Sequence, residues 1–144
     1  MAYVPPVVLL ASGTLTNTQI KNLHGTPVQV IAAPGSGKMI KIISSVSKLV
    51  YGGNNAFVNG GAQPISLAYG TTSTNAPILI SNPQIVVTVT TTNVLESVTA
   101  LSQASTTFDN VAINAYNSSA TEISGNANND NTINYSIVYQ IVTI

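Results

Sequence analysis

Cysteine and tryptophan are absent from this chain, histidine occurs once, and the 144 residues include only four basic and four acidic side chains. Without cysteine there is no disulfide framework and no thiolate metal site, and the redox compartment leaves no mark on the sequence. Charged residues make up 6% of the chain, against roughly 25% in ordinary soluble domains. A net charge of zero, with the four lysines dispersed, argues against a footprint for nucleic-acid phosphates and against a basic membrane-surface patch. No apolar run approaches the roughly 20 residues needed to cross a bilayer as a helix. The opening MAYVPPVVLLASGT holds a short apolar run, but no Lys or Arg precedes it and Pro5-Pro6 interrupts it. It does not read as a cleaved signal peptide.

What is there instead is hydroxyl and amide: 17 Thr, 16 Asn and 15 Ser beside a hydrophobic content of 44%. Such a surface presents few charges to keep copies apart, so association with other proteins is expected. The length suits one domain with its own core. Residues 1–12 read as an N-terminal arm or edge strand, and 13–144 as a single β-sandwich domain.

The stretch APGSGKMI (33–40) resembles the end of a phosphate-binding loop, G-x-x-x-x-G-K-[ST]. Counting back from Gly37, the first glycine should stand where Ala32 is, and the hydroxyl after Lys38 is replaced by Met39. The following MIKIISSV is β-branched and alternating, where the motif needs a helix. The glycines therefore read as a hairpin turn between two strands.

One helix signal is clear. In GTLTNTQIKNLHGTP, Thr16 caps, Gln19 completes a capping box, Gly25 and Pro27 close, and Leu15, Ile20 and Leu23 form one apolar stripe. A second short helix is expected over NVLESVTALSQA (93–104), with Val94, Val98 and Leu101 on one side. Nearly everything else reads as strand. In KMIKIISSVSKLVY (38–51), Ile40 and Ile42 oppose Met39, Lys41 and Ile43, with a bulge or bend expected at Ser44-Ser45. In NYSIVYQIVTI (134–144), Tyr135, Ile137, Tyr139 and Ile141 share a face, and the other face is half apolar, as in a central strand. Short strands between frequent turn signals predict an all-β, antiparallel, jelly-roll-like β-sandwich with one or two short helices.

Catalytic apparatus is scarce. A zinc site needs three or four ligands, and the chain offers His24 with Glu96, Asp109, Glu122 and Asp130. A Ser-His-acid triad could use only His24, which reads instead as bonding the last carbonyls of the short helix or lying in solvent. A carboxylate pair for glycoside hydrolysis can be drawn, but none of the acids stands in a distinctive motif, and each reads as solvated. In SGNANNDNTIN, the alternating Asn126, Asn128 and Asp130 imitate a calcium loop, yet its required glycine is Asn131 and its bidentate glutamate is Ile137. That run reads as a hairpin tip. Tyr51, Tyr69, Tyr116, Tyr135 and Tyr139 read as core or interface rather than a sugar-stacking platform. The expectation is no enzyme, no cofactor and no metal site.

Two stretches carry a resemblance, GTLTNTQIKNLHGTPVQVIAAPGSGKMIKIISSVSKLVYGG (13–53) and NVAINAYNSSATEISGNANNDNTINYSIVYQIV (110–142). Together they resemble the capsid decoration, or cement, proteins of tailed bacteriophages. The shared features are an "LT..QI..L...P" opening, an "APG.GK" turn into a long strand ending near "YGG", and a Gly- and Asn-rich hairpin before a final strand. The resemblance covers about half of the chain and leaves 54–109 unmatched. It implies a β-sandwich, made in the bacterial host cytoplasm, that sits as a homotrimer on the capsid exterior and bridges major capsid protein subunits. It implies no enzyme and no cofactor; nucleic-acid and membrane partners are already disfavoured by the charge count. Related β-modules in head fibres and other virion appendages imply an alternative, recognition of host-surface carbohydrate. On the cement reading, Tyr3, Val4, Pro5, Pro6, Val7 and Val8 form a candidate capsid-contact arm: Pro5-Pro6 favours extended backbone, and the flanking residues offer apolar anchors.

Overall fold

Thr16 marks the point where the first strand turns into the helix, and the hydrogen bonds there follow the sequence. The Thr16 side chain accepts from the backbone N–H of Gln19, and the Gln19 side chain accepts from the backbone N–H of Thr16. Such caps contribute about 1 kcal/mol, enough to set the position of a helix of only five residues, α1 (Asn17–Lys21). Leu15, Ile20 and Leu23 point their stripe into the core and are all buried. In the computed structural model of the chain, residues 7–58, 65–70, 78–79, 93–97, 108–117, 119 and 121–144 are described.

Around α1 the described residues form strands: β1 (Leu9–Leu15), β2 (Val28–Ile31), β3 (Lys38–Val50), β4 (Phe57–Val58), β5 (Ile65–Tyr69), β6 (Ile78–Leu79), β7 (Asn93–Ser97), β8 (Ile113–Asn117), β9 (Ser124–Gly125) and β10 (Thr132–Thr143). Every pairing is antiparallel. One sheet runs β1-β10-β3-β7, a second runs β2-β8-β5-β6, and β4 with β9 makes a two-stranded ribbon. With the ribbon set aside, the remaining eight strands in chain order give sheets 1-8-3-6 and 2-7-4-5. That is the strand order of a jelly roll, two interlocked Greek keys. The long strand with the half-apolar second face, β10, is central, between β1 and β3.

The two sheets share their interior. Leu15, Leu49 and Ile133 of the first sheet cluster with Ile65 and Ala115 of the second, together with Ile20, Leu23 and Phe57. Ile40, Ile42 and Ile137 cluster with Ile31, Leu67, Tyr69 and Ile113. Val30 and Tyr135 pack against both groups. Each fully buried aliphatic side chain contributes roughly 1.5–3 kcal/mol.

A bulge decides which side of β3 faces that core. Val138 pairs with Ser44 while Tyr139 pairs with Ile42, so Ile43 has no partner of its own. The extra residue flips the alternation: Ile40 and Ile42 face inward before it, Ser45, Ser47 and Leu49 after it. Lys48 is thereby kept outside and Leu49 buried. The bulge lies one residue before the Ser44-Ser45 pair on which it was expected.

Three expectations are corrected. The helix expected over 93–104 is a strand at Asn93–Ser97, paired with Leu49–Ser45 of β3; 98–104 lies outside the described residues. Residues 32–37 do turn, but they join β2 of one sheet to β3 of the other and close no hairpin. The Asn-rich run is not a hairpin tip either. It separates β9, which pairs with β4, from β10, which pairs with β1 and β3.

Candidate functional site

β3 spans about 40 Å at ~3.3 Å per residue. The polar residues singled out in the sequence gather at its two ends.

At the Lys38 end lies the glycine turn. Gly35 and Gly37 take positive φ, 99° and 72°, which glycine adopts without penalty. Their N–H groups are already engaged. Gly37 N–H donates to Asp109 Oδ1 at 2.7 Å and Gly35 N–H donates to Asn110 Oδ1 at 2.9 Å. The Asn110 N–H donates to the Lys38 carbonyl, and the Ile144 N–H to that of Gly37. Amides that a nucleotide loop would turn toward phosphate are here turned toward the Asp109 carboxylate and the Asn110 side-chain carbonyl of the same chain. Asp109 is a latch on this turn.

At the other end, α1, residues 52–55 and the run 126–131 meet through side-chain amides. Asn126 is almost wholly buried. Its Oδ1 accepts from Asn17 Nδ2 and, at 3.0 Å, from the Asn131 N–H. Its Nδ2 donates to the Asn55 carbonyl at 2.5 Å and to Asp130 Oδ1 at 2.7 Å. Asn131, also buried, accepts from the Gly52 N–H at 2.8 Å and donates to the Asn55 carbonyl at 2.9 Å. Asp130 Oδ2 accepts from Asn54 Nδ2. These two amides hold the Asp130 carboxyl below its usual range, Asn126 acting more strongly than Asn54. Asn126 and Asn129 sit at φ 43° and 56°, the left-handed conformation that asparagine tolerates.

The calcium pattern of this run therefore does not assemble. Asn126 and Asp130 face each other through a hydrogen bond, while Asn128 is exposed. The cation beside the loop is Lys21, whose Nζ donates to the Asn126 carbonyl at 3.2 Å and to Asn129 Oδ1 at 3.0 Å. Among the described residues no group of three or more His, Asp or Glu converges on one point.

His24 and Glu122 also meet, but not as a catalytic pair. Glu122 Oε2 accepts from the backbone N–H of His24 at 2.9 Å, and Oε1 accepts from that of Gly25 at 2.6 Å. The imidazole points elsewhere: its Nδ1 lies 3.3 Å from the Asn117 carbonyl and its ring beside Tyr116. Glu122 clamps the end of the helical turn. So the three acids with described side chains, Asp109, Glu122 and Asp130, are all engaged by amides rather than merely solvated; Glu96 lies on β7 with its side chain outside the described residues.

The tyrosines do not share a face. Tyr69 is buried, donates to the Ile40 carbonyl at 2.5 Å and packs on Phe108 with ring centres 4.6 Å apart. Burial pushes its pKa up to about 12. Tyr135 and Tyr139 pack against the core from β10, whereas Tyr116 lies beside His24, and its neighbours along β8, Ala115 and Asn117, are buried. Tyr51 is half-buried.

Among the described residues, the outer face of β1, β10 and β3 and the β1 edge are exposed, as is Val58 on β4. Register places Leu10, Val138 and Ser44 in one row, Ser12, Ser136 and Val46 in the next, and Thr14, Asn134 and Lys48 in a third. Leu10 is 65% exposed and Val46 38%. The charged side chains described on this face are Lys41 and Lys48. Of the candidate arm, Tyr3, Val4, Pro5 and Pro6 lie outside the described residues. Val7 and Val8 are exposed, at 68% and 57%, immediately before β1, and β1 runs unbroken through residues 12 and 13. Ile141 and Ile144 add exposed aliphatic surface where β10 ends.

Neither the amide hub nor the Asp109 latch is legible in the sequence, because most of their partners lie 71 to 114 residues apart in the chain. The surplus of asparagine was the one available signal. No protein-family model and no curated protein matches the chain.

Proposed function

We propose that this chain is a structural virion protein, a capsid decoration protein that binds the outer surface of a tailed-phage head as a homotrimer and reinforces contacts between major capsid subunits. The observation that carries the reading is the contrast between its loops and its surface. The three described acids accept from backbone or side-chain amides that hold loops, while a sheet face of hydroxyls and aliphatics, with Lys41 and Lys48, is left outside. A jelly roll by itself serves capsid, lectin and cupin domains alike, so the fold alone does not choose among them. The dispersion of the tyrosines favours a contact surface over a sugar-stacking groove.

The energetics suit such a role. An interface of about 1,600 Å² corresponds to roughly 40 kcal/mol of gross transfer at ~25 cal/mol/Å², most of it offset by ordering and lost rigid-body freedom. Three linked contacts then raise the effective concentration for the second and third engagement. Co-sedimentation with expanded and unexpanded phage shells, together with light scattering on the free protein, tests the reading. The expected result is a trimer that pellets with shells. A strict monomer that stays in the supernatant with both kinds of shell rules it out.

A further inference from the structure

β1 is an edge of the first sheet: among the described residues it pairs with β10 alone, and on its other side the main chain meets no strand. Open edges invite pairing with another chain, and folded proteins blunt them with short strands, bulges, proline or charge. Every other sheet edge among the described residues carries such a device. β2 has four residues, follows Pro27 and shifts register between Gln29 and Ile31. β4, β6 and β9 have two residues each, and β7 carries Glu96. β1 has none. Its seven residues keep one register from Leu9 to Leu15, with no charge and no proline from Val7 onward.

The chemistry of this edge matches itself. Val7, Val8 and Leu10 are exposed, and with Leu9 and Ala11 they make a run of five aliphatic residues, VVLLA. Laid antiparallel against the same run of a second copy, about a twofold axis at Leu9, Val8 of each copy faces Leu10 of the other. Leu9 then faces Leu9, and Val7 faces Ala11. Every pair is aliphatic, and no charge has to leave water. An axis at Ser12 would instead set Leu10 against Thr14 and Val8 against Thr16. One patch used by both copies is the commonest form of self-association.

We propose that the β1 edge is a docking site for a second copy of this chain, the two first sheets joining antiparallel through Val7–Ala11 into one continuous sheet. The inference goes beyond the assembly reading above. A twofold contact pairs copies two by two and cannot close a trimer, so on a shell it ties one trimer to its neighbour. Five residues a side bury far less than a standard interface. The pairing is therefore weak in dilute solution and gains where copies are held close together.

The absence of cysteine makes a cross-linking test unambiguous. At the axis, the two Leu9 Cα atoms stand about 4.5–5.5 Å apart, inside the roughly 4.4–6.8 Å that a disulfide spans. The two Ser12 Cα atoms stand about 20 Å apart at ~3.3 Å per residue. Leu9 belongs to neither core cluster. Under mild oxidation at matched concentration, Leu9→Cys should run on a non-reducing denaturing gel mostly as a disulfide-linked dimer, and Ser12→Cys should not. Adding Val8→Lys to Leu9→Cys should suppress the dimer. Leu9→Cys that stays a single chain, Ser12→Cys that cross-links equally, or a dimer indifferent to Val8→Lys overturns the proposal. Should Leu9→Cys not fold, hydrogen exchange on the unaltered chain decides: β1 protection that rises with protein concentration supports the pairing, and protection independent of concentration overturns it. Light scattering keeps the two readings apart. A cross-link without a trimer sinks only the trimer, and a trimer without the cross-link sinks only the β1 pair.

Discussion

Tyr135 lies across Gly13, its register partner on the neighbouring strand: a β-carbon at Gly13 would stand 2.5 Å from the phenolic oxygen and 2.8 Å from the ring carbon bearing it. The glycine is not needed for backbone conformation, since Gly13 is not among the residues with positive φ. It is needed so that the ring can lie over the edge strand. Gly13→Ala should therefore destabilise the protein by about 1–3 kcal/mol, the usual cost of overpacking. In a Tyr135→Phe background, which removes the nearest atom, the penalty should shrink. Urea unfolding of the four proteins of this cycle measures the coupling, and an unchanged penalty would show that the ring is not the obstacle.

Asn126 satisfies four partners from a position where almost no solvent reaches it. Replacing it by alanine leaves the Asn131 N–H without its acceptor, leaves the Asn17 amide only the Asn131 carbonyl at 3.4 Å, and keeps a side chain at positive φ. The expected loss is about 2–4 kcal/mol, from several unsatisfied buried groups at once. The exposed Asn128→Ala two residues on should cost less than about 0.5 kcal/mol. Thermal unfolding of both variants tests whether the hub or the run as a whole carries stability.

Asp109 as a latch makes a different demand from Asp109 as a reactive acid. An asparagine still presents Oδ1 to the Gly37 N–H, so Asp109→Asn should keep the turn at a cost below about 1.5 kcal/mol. Asp109→Ala should cost more, because nothing then accepts from Gly37. Proteolysis near residues 33–37 should accelerate in the alanine variant and not in the asparagine one.

The local parts of this fold are legible in the sequence and the distant ones are not, for one physical reason. The capping box at Thr16 and Gln19, the alternation of β10 and the turn at Gly35–Gly37 are written in neighbouring residues. The segment from Asn93 reads as a helix because Val94, Val98 and Leu101 recur at helical spacing, while pairing with β3, a tertiary contact, holds Asn93–Ser97 extended. The turn at Gly37 is legible, but not that its strands belong to different sheets, since Asp109 that fixes it is 72 residues away. Asp109 and Glu122 read as solvated for the same reason: their amide partners are remote in the chain.

Stability should fall at both ends of the pH scale through identifiable groups. Tyr69 is held neutral by burial, with its pKa raised to about 12 from 10.0. Its contribution is complete below pH 10 and is lost as pH rises from there toward 12, because the unfolded chain ionises first. Asp130 has a lowered folded-state pKa, owed first to the Asn126 amide and then to Asn54. Its contribution is present above the unfolded value of about 3.9 and is lost as pH falls through the lower folded one. Unfolding midpoints measured across pH should show both slopes. Tyr69→Phe should remove the alkaline one and Asp130→Asn the acidic one.

The outer face of the β1-β10-β3-β7 sheet separates association from folding. Leu10 is exposed and contributes to neither core cluster, so Leu10→Lys should change stability by less than about 0.5 kcal/mol. Placed in the row with Val138 and Ser44, the new charge would have to be desolvated in any contact made there. On the cement reading, shell binding should drop at least about tenfold, which requires only 1.4 kcal/mol. Because the face holds so few charges, wild-type binding should barely change between about 50 and 500 mM salt, where the screening length falls severalfold. Co-sedimentation of both proteins at the two salt concentrations reads both expectations. Binding that survives Leu10→Lys but collapses in salt would move the contact to another, charged surface of the molecule.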